Sequence, residues 1–102
     1  MIKPIKKAKA KYPPPDVLYV DVDGTLLVNG KPNHKVVTLI RAKYEEGFQI
    51  IVWSSRGALN AVKAVYLADI EDIVAFKLSK PGYIVDDKGW SWTRYTKQIK
   101  DI

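Results

Sequence analysis

Three apolar stretches of the sequence each end in carboxylate or hydroxyl side chains, the residue types that bind hard cations. These side chains are Asp21, Asp23, Ser54, Ser55, Asp86 and Asp87. Lys80 lies just before the third stretch. In open α/β sheets, ligands bind beyond the carboxyl ends of the strands. If the three stretches are parallel strands, they bring these carboxylates and hydroxyls and the lysine ammonium to one edge of the sheet.

Crowded carboxylates repel one another and lose hydration, and a divalent cation offsets both costs. Because all the ligands would be oxygen atoms, the sequence predicts Mg²⁺. A calcium loop starting at Asp21 is excluded, because Thr25 and Pro32 occupy positions that require acidic ligands. A single aspartate after a strand is usually a turn or helix cap. Capping does not explain three such strand ends together with a lysine.

The elements that must position these residues can be predicted from the apolar pattern. Continuous apolar runs are typical of strands buried on both faces, and they cover residues 17–20, 48–53 and 83–85, with a shorter run at 73–76. Asn29-Gly30 predicts a hairpin turn. Helices are predicted from Asn33 to Gly47 and over residues 58–67. In the second helix, the predicted apolar face consists of Leu59, Val62, Val65 and Tyr66.

Alternating strands and helices indicate an α/β fold, a three-layer sandwich with a mainly parallel sheet covered on both faces. Residues 16–102 are predicted to form this single domain. Residues 1–15 contain five lysines, no acidic residue and three consecutive prolines, and are predicted to form a basic N-terminal arm.

The order and spacing of the motifs resemble those of the haloacid dehalogenase superfamily. Its first motif, Asp-x-Asp-Gly-Thr-Leu, is matched by residues 21–26. The second, an apolar strand ending in Ser or Thr, is matched by residues 50–54, and the third, a single lysine, by Lys80. The fourth, an apolar strand ending in paired acids, is matched by residues 84–87. The resemblance implies a Rossmann-like fold.

The resemblance also implies a phosphatase mechanism. Asp21 would be the nucleophile that forms an aspartyl-phosphate, and Asp23 the general acid and then the base. Dehalogenases of the superfamily lack the second aspartate, since a halide leaving group needs no proton. Ser54 would donate to a phosphoryl oxygen, and Lys80 would offset negative charge. Lys77 is a rival for this lysine role, because only Pro81 and Gly82 separate Lys80 from the predicted strand at residues 83–85.

The remaining site assignments come from the same resemblance. The Mg²⁺ ligands would be Asp21, Asp23 through its carbonyl group, and Asp86, with Asp87 supporting the site. Residues expected to contact substrate are Gly24, Thr25, Ser54, Ser55 and Arg56. The two positions at which the family inserts cap domains hold only a hairpin, single helices and strands here. The resemblance therefore implies a capless member with an open site, which acts on large substrates or oligomerises.

Aromatic residues are concentrated near the C-terminus, at Trp90, Trp92 and Tyr95. We expect them to cover an edge of the core, and a stacking surface or a subunit contact is the alternative. His34, the single histidine, is expected to have no catalytic role.

The charge distribution and the hydropathy of the sequence argue against a nucleic-acid-binding domain and against a membrane protein. The net charge is +6, but residues 16–102 contain 12 basic and 11 acidic groups, so they are nearly neutral. A basic nucleic-acid-binding domain is therefore not favoured. No apolar run is long enough for a membrane span and the N-terminus does not resemble a secretory signal, so we expect a cytoplasmic protein without membrane contact.

The expected substrate is a phosphorylated small molecule or macromolecular end. The alternatives are a phosphatase of nucleic-acid 3′ or 5′ ends and a non-catalytic phosphate-binding module.

Overall fold

A parallel three-stranded sheet is the centre of the computed structural model, which describes residues 12–100. In chain order the elements are β1 (Val17–Asp21), β2 (Leu27–Val28), β3 (Lys31–Pro32), α1 (His34–Glu45), β4 (Gln49–Ser54), α2 (Ala58–Leu67), β5 (Val74–Ser79) and a 3₁₀ helix (Gly89–Tyr95). The sheet order is β1-β4-β5, and β2 and β3 form a separate antiparallel hairpin. The α/β class and the mainly parallel sheet are therefore confirmed. The predicted basic arm lies mostly outside the described residues.

Local signals in the sequence account for both ends of α1. The side chain of Asn33 caps its first turn by accepting the backbone N–H of Lys35, and the helix begins where the sequence predicts it. At the other end Gly47 has a φ of 95°, a left-handed conformation that favours glycine. The N–H groups of Gly47 and Phe48 bond to the carbonyl groups of Tyr44 and Lys43, which closes the last turn. This turn directs the chain into β4.

One hydrophobic core lies between the sheet and the two helices. Val20, Ile50 and Val52 of the sheet pack with Ile40 of α1 and Val65 of α2, and all five are buried. Burial of each such side chain contributes about 1.5–3 kcal/mol. This packing fixes the relative positions of β1 and β4, whose carboxyl ends carry the candidate site.

The predicted apolar face of α2 is largely wrong. Val65 is buried, but Leu59, Val62 and Tyr66 are exposed. Residues that face the sheet instead are Ala61, Ala64 and Val65. Alanines have no side chain beyond Cβ, so they let the helix axis approach the strands closely. The larger apolar residues are left on the solvent side.

The predicted covering of the sheet on both faces is also wrong for the described residues. Both helices contribute to the same core, so they lie on one face of the sheet. On the other face Tyr19, Phe76 and Leu78 are partly exposed, next to Trp53. The cause is the strand order: each new strand is added in the same direction, and right-handed crossovers then place both helices on the same side.

The third strand is not where the strongest apolar run predicted it. The predicted short strand at residues 73–76 is the full strand β5, and no strand forms over residues 83–85. Tyr83 and Val85 are fully exposed. A strand needs a hydrogen-bonded neighbour, and residues 83–85 pair with no strand here: β5 takes the place beside β4, and the outer edge of β1 is left unpaired in the described part of the chain. Among residues 12–100, no helix is long and apolar enough to cross a membrane.

Candidate active site

The loop after β1 is held by backbone hydrogen bonds on both sides of its glycine. Gly24 has a φ of 81°, which explains why glycine follows the second aspartate. The N–H of Gly24 donates to the carbonyl of Leu27 at 2.8 Å, and the N–H of Leu26 donates to that of Asp21 at 3.1 Å. Leu26 is fully buried and anchors the loop in the core. The loop therefore presents the side chains of Asp21, Asp23 and Thr25 from a fixed backbone.

The carboxylate of Asp21 is in contact with two side chains, one through an ion pair and one through a hydrogen bond. Lys80 Nζ lies 2.9 Å from Asp21 Oδ1, and Thr25 Oγ1 donates to Asp21 Oδ2 at 3.1 Å. Both partners of the ion pair remain accessible, with side-chain exposures of 37% for Asp21 and 32% for Lys80. A carboxylate that is oriented but still reachable from solvent can attack an electrophile in an open site.

The position of Lys80 is set by β4. Its backbone N–H donates to the carbonyl of Ser54 at 2.9 Å, so the residue sits directly beyond the strand ends. Its ammonium group also lies 5.7 Å from the ring centroid of Trp53, which is the register partner of Asp21. Lys77, the rival lysine, pairs with Val52 inside the sheet and lines a surface cavity beside α2. Of the two lysines, the structure brings Lys80 to Asp21.

Ser54 ends β4 and is the single buried polar residue of the described part of the chain, with 1% exposure. Its Oγ accepts two hydrogen bonds, from the backbone N–H of Arg56 at 3.0 Å and from Asn60 Nδ2 at 2.9 Å. A hydroxyl has two acceptor lone pairs and one O–H donor. Because both lone pairs of Ser54 are engaged, its remaining capacity is to donate, for example to an oxygen of a bound anion.

Asp23 is joined to the start of α2. Asn60 Nδ2 donates to Asp23 Oδ2 at 3.1 Å, and the Arg56 guanidinium lies 3.4 Å from Asp23 Oδ1. Exposed ion pairs such as this one contribute about 0–1 kcal/mol. Arg56 can therefore leave Asp23 for an anionic ligand at little cost. The other two residues expected to contact substrate, Ser55 and Gly24, lie exposed on the turns beside these groups.

Asn60 is the residue that the sequence reasoning missed. The residues predicted for the site are titratable side chains and hydroxyls near strand ends, whereas Asn60 is an amide in the first turn of α2. One signal was present: Asn60 is a polar residue in the first turn of a helix that directly follows a strand ending in Ser54. Residues at that position face the same edge of a parallel sheet as the strand ends.

Asp86 and Asp87 are not brought to Asp21. Both are exposed, Asp86 Oδ1 accepts the backbone N–H of Lys88 at 2.7 Å, and Asp87 Oδ2 lies 3.9 Å from Lys88 Nζ. Within residues 12–100, no three acidic or histidine side chains are grouped so that they could hold a metal ion. In this arrangement the residues predicted as Mg²⁺ ligands do not form a ligand set.

The candidate site therefore consists of two carboxylates, two cationic groups, one buried hydroxyl and one amide, all close to the ends of β1 and β4. The opposite charges balance within the site. Comparison of the chain with models of protein families, with curated proteins and with solved structures gave no match.

Proposed function

We propose that this protein is a phosphomonoesterase that works through a phosphoaspartate on Asp21, with a haloacid dehalogenase-like fold and no cap domain. The observation that carries the proposal is the paired engagement of Asp21 by Lys80 and Thr25, 2.9 Å and 3.1 Å away, beside the buried hydroxyl of Ser54. A nucleophilic carboxylate, a cation and a hydroxyl donor are the parts that phosphoryl transfer needs.

The proposed reaction has two steps. In the first, a carboxylate oxygen of Asp21 attacks phosphorus, the ester P–O bond breaks, and the leaving oxygen takes a proton from the carboxylic acid of Asp23. In the second, Asp23 takes a proton from water, whose oxygen attacks the same phosphorus. The acyl-phosphate bond then breaks and inorganic phosphate is released, with Asp21 returned to a carboxylate.

The other groups would stabilise negative charge during both steps. Ser54 donates its O–H to a phosphoryl oxygen, and Lys80 offsets charge on the nucleophile and on the phosphoryl group. Arg56, released from Asp23, offers a guanidinium fork that matches a phosphate dianion. Within such a site, the substrate is held by charge and hydrogen bonds.

The absence of a cap domain is supported by the short connections on either side of β4. The chain between Asp23 and β4 contains the β2–β3 hairpin and α1, and the chain between Ser54 and β5 contains only α2. The site is therefore open over its described surroundings, which favours a large substrate or closure by a second copy of the chain.

The proposed cofactor is Mg²⁺, because all the predicted ligands are oxygen atoms, which suit this ion. The described arrangement does not assemble them, so the proposal requires the loop carrying Asp86 to move toward β1. Two observations support such a movement: β1 is an edge strand of the sheet, and the apolar residues Tyr83 and Val85 are fully exposed.

A phosphatase screen tests the proposal. The purified protein is incubated with sugar phosphates, nucleotides and end-phosphorylated oligonucleotides, and phosphate release is measured with added Mg²⁺ and with EDTA. We expect turnover that EDTA abolishes and Mg²⁺ restores. Full activity in EDTA would contradict the metal assignment alone, whereas no turnover of any substrate in either condition would contradict the phosphatase.

A further inference from the structure

We propose that Asn60 is a positioning residue, which orients Asp23 for proton transfer and commits Ser54 to act as a hydrogen-bond donor. The inference rests on the proposed phosphatase function and adds to it a residue outside the motifs that suggested that function. It comes from one side chain in the first turn of α2 that joins two groups from different strand ends.

The orientation of the Asn60 amide follows from its partners. The carboxylate of Asp23 only accepts hydrogen bonds when ionised, so the NH₂ group of Asn60 must face it. One N–H then reaches Asp23 Oδ2 at 3.1 Å and the other reaches Ser54 Oγ at 2.9 Å. Both donors of the amide are therefore used, and both acceptors lie at the candidate site.

For Asp23, this contact fixes the side chain at an otherwise exposed position. Asp23 has a side-chain exposure of 53%, and its other partner is the exposed guanidinium of Arg56. A general acid acts only if its proton points at the leaving oxygen, and Asn60 is the half-buried partner that can hold that direction.

For Ser54, the contact decides which way the hydroxyl proton points. The N–H of Arg56 occupies one lone pair, and Asn60 occupies the second. Without Asn60, the hydroxyl could turn and accept a hydrogen bond from water or from a protonated phosphate. With Asn60 in place, Ser54 donates to an anionic ligand.

Two variants of Asn60 separate this role from a structural one. Asn60→Ala removes both hydrogen bonds, and Asn60→Asp keeps the shape but replaces the donors with a carboxylate facing Asp23. In both we expect kcat for an alkyl phosphate to fall about 10- to 100-fold, part of what a general acid supplies. KM should change less, and an aryl phosphate with a good leaving group should be affected less. Asn29→Gly, which changes an exposed turn asparagine with a φ of 52°, is the control and should keep wild-type rates.

A double-mutant cycle gives the sharper test. In the Asp23→Asn background the proposed acid is absent. Asn60→Ala should therefore lower kcat for the alkyl phosphate by a much smaller factor than it does in the wild type. Equal losses in the two backgrounds, or equal losses on alkyl and aryl phosphates, would overturn the role of Asn60 in orienting Asp23, even if the phosphatase activity is real.

A spectroscopic readout keeps the inference testable if no phosphatase activity is found. The side-chain NH₂ resonances of Asn60 are followed in ¹H–¹⁵N spectra of the wild type, Asp23→Ala, Ser54→Ala and the Asn29→Gly control. We expect the first two substitutions to shift both resonances and the control to leave them in place. Unchanged resonances in Asp23→Ala and Ser54→Ala would overturn the inference independently of the proposed function.

Discussion

At the scale of single residues, the candidate site contains two carboxylates, Asp21 and Asp23, and each has its own pair of side-chain partners. Asp21 is held by Lys80 and Thr25, and Asp23 is held by Arg56 and Asn60. The two carboxylates have separate partners, so each can be altered without removing the contacts of the other. This separation makes substitutions at single residues informative.

The acid role proposed for Asp23 predicts that the effect of a substitution depends on the leaving group. Asp23→Asn should slow hydrolysis of an alkyl phosphate by about 10²- to 10⁴-fold, because the departing alkoxide no longer receives a proton. An activated aryl phosphate leaves without a proton and should lose much less. Steady-state rates on the two substrates check this, and equal losses on both would count against the acid role.

The two candidate lysines can be separated in the same assay. Lys80→Met should lower kcat by about 10²- to 10³-fold, since it removes a charge placed 2.9 Å from Asp21, the proposed nucleophile. Lys77→Met is the matched variant, because Lys77 lies in β5 beside the cavity at α2. If Lys77→Met has the larger effect on kcat, the role assigned here to Lys80 is wrong.

At the scale of elements, the sequence predicts structure well where a local signal decides it. Asn29 and Gly30 have φ values of 52° and 74°, and the hairpin they predict is formed. Asn33 and Gly47 define the first helix for equally local reasons. Asp21 and Ser54 could be placed at one sheet edge because each ends an apolar run and the two runs are parallel neighbours.

Prediction from the sequence failed where contacts with distant parts of the chain decide the structure. The run at residues 83–85 has the composition of a strand, but no strand pairs with it among the described residues. The inward face of α2 was misjudged, because close packing favours Ala61 over the larger Val62. Asn60 was missed because its importance depends on Asp23, which is 37 positions away in the chain.

The turn that ends α1 provides a prediction on stability. Gly47→Ala should lower the free energy of unfolding by about 1–2 kcal/mol, since φ is 95° there and a Cβ is strained in that region. Gly82→Ala is the control, because a Cβ at Gly82 meets nothing within 4 Å and its φ lies outside the left-handed range. Urea denaturation checks both, and equal stability of the two variants would contradict the explanation of this turn.

At the scale of the whole molecule, two features concern partners. The open face of the sheet leaves Tyr19, Phe76 and Leu78 partly exposed. The five lysines of the first 15 residues carry nearly all of the net charge of +6. The first feature concerns the proposed contact with a second copy or a large substrate, and the second concerns whether that substrate is a nucleic acid.

Deleting residues 1–11 tests the basic arm, because it removes all five lysines and keeps the Pro15 carbonyl that accepts the N–H of Val17. We expect unchanged activity on small phosphates and oligonucleotides alike, since the five lysines lie in one short segment separate from the nearly neutral residues 16–102. The comparison measures oligonucleotide binding against salt concentration. Five contacts on a single strand would change the slope by at most about 3.5, so a shallower slope after deletion would favour a phosphatase of nucleic-acid ends.

The most direct measurement is phosphate release by the wild type and by Asp21→Asn on the best substrate of the screen. Asparagine is nearly isosteric with aspartate but cannot form the acyl-phosphate. We therefore expect the variant to fall to the level of the no-enzyme control, with a melting temperature close to that of the wild type. Activity within about tenfold of the wild type, from a variant that is equally well folded, would contradict Asp21 as the nucleophile.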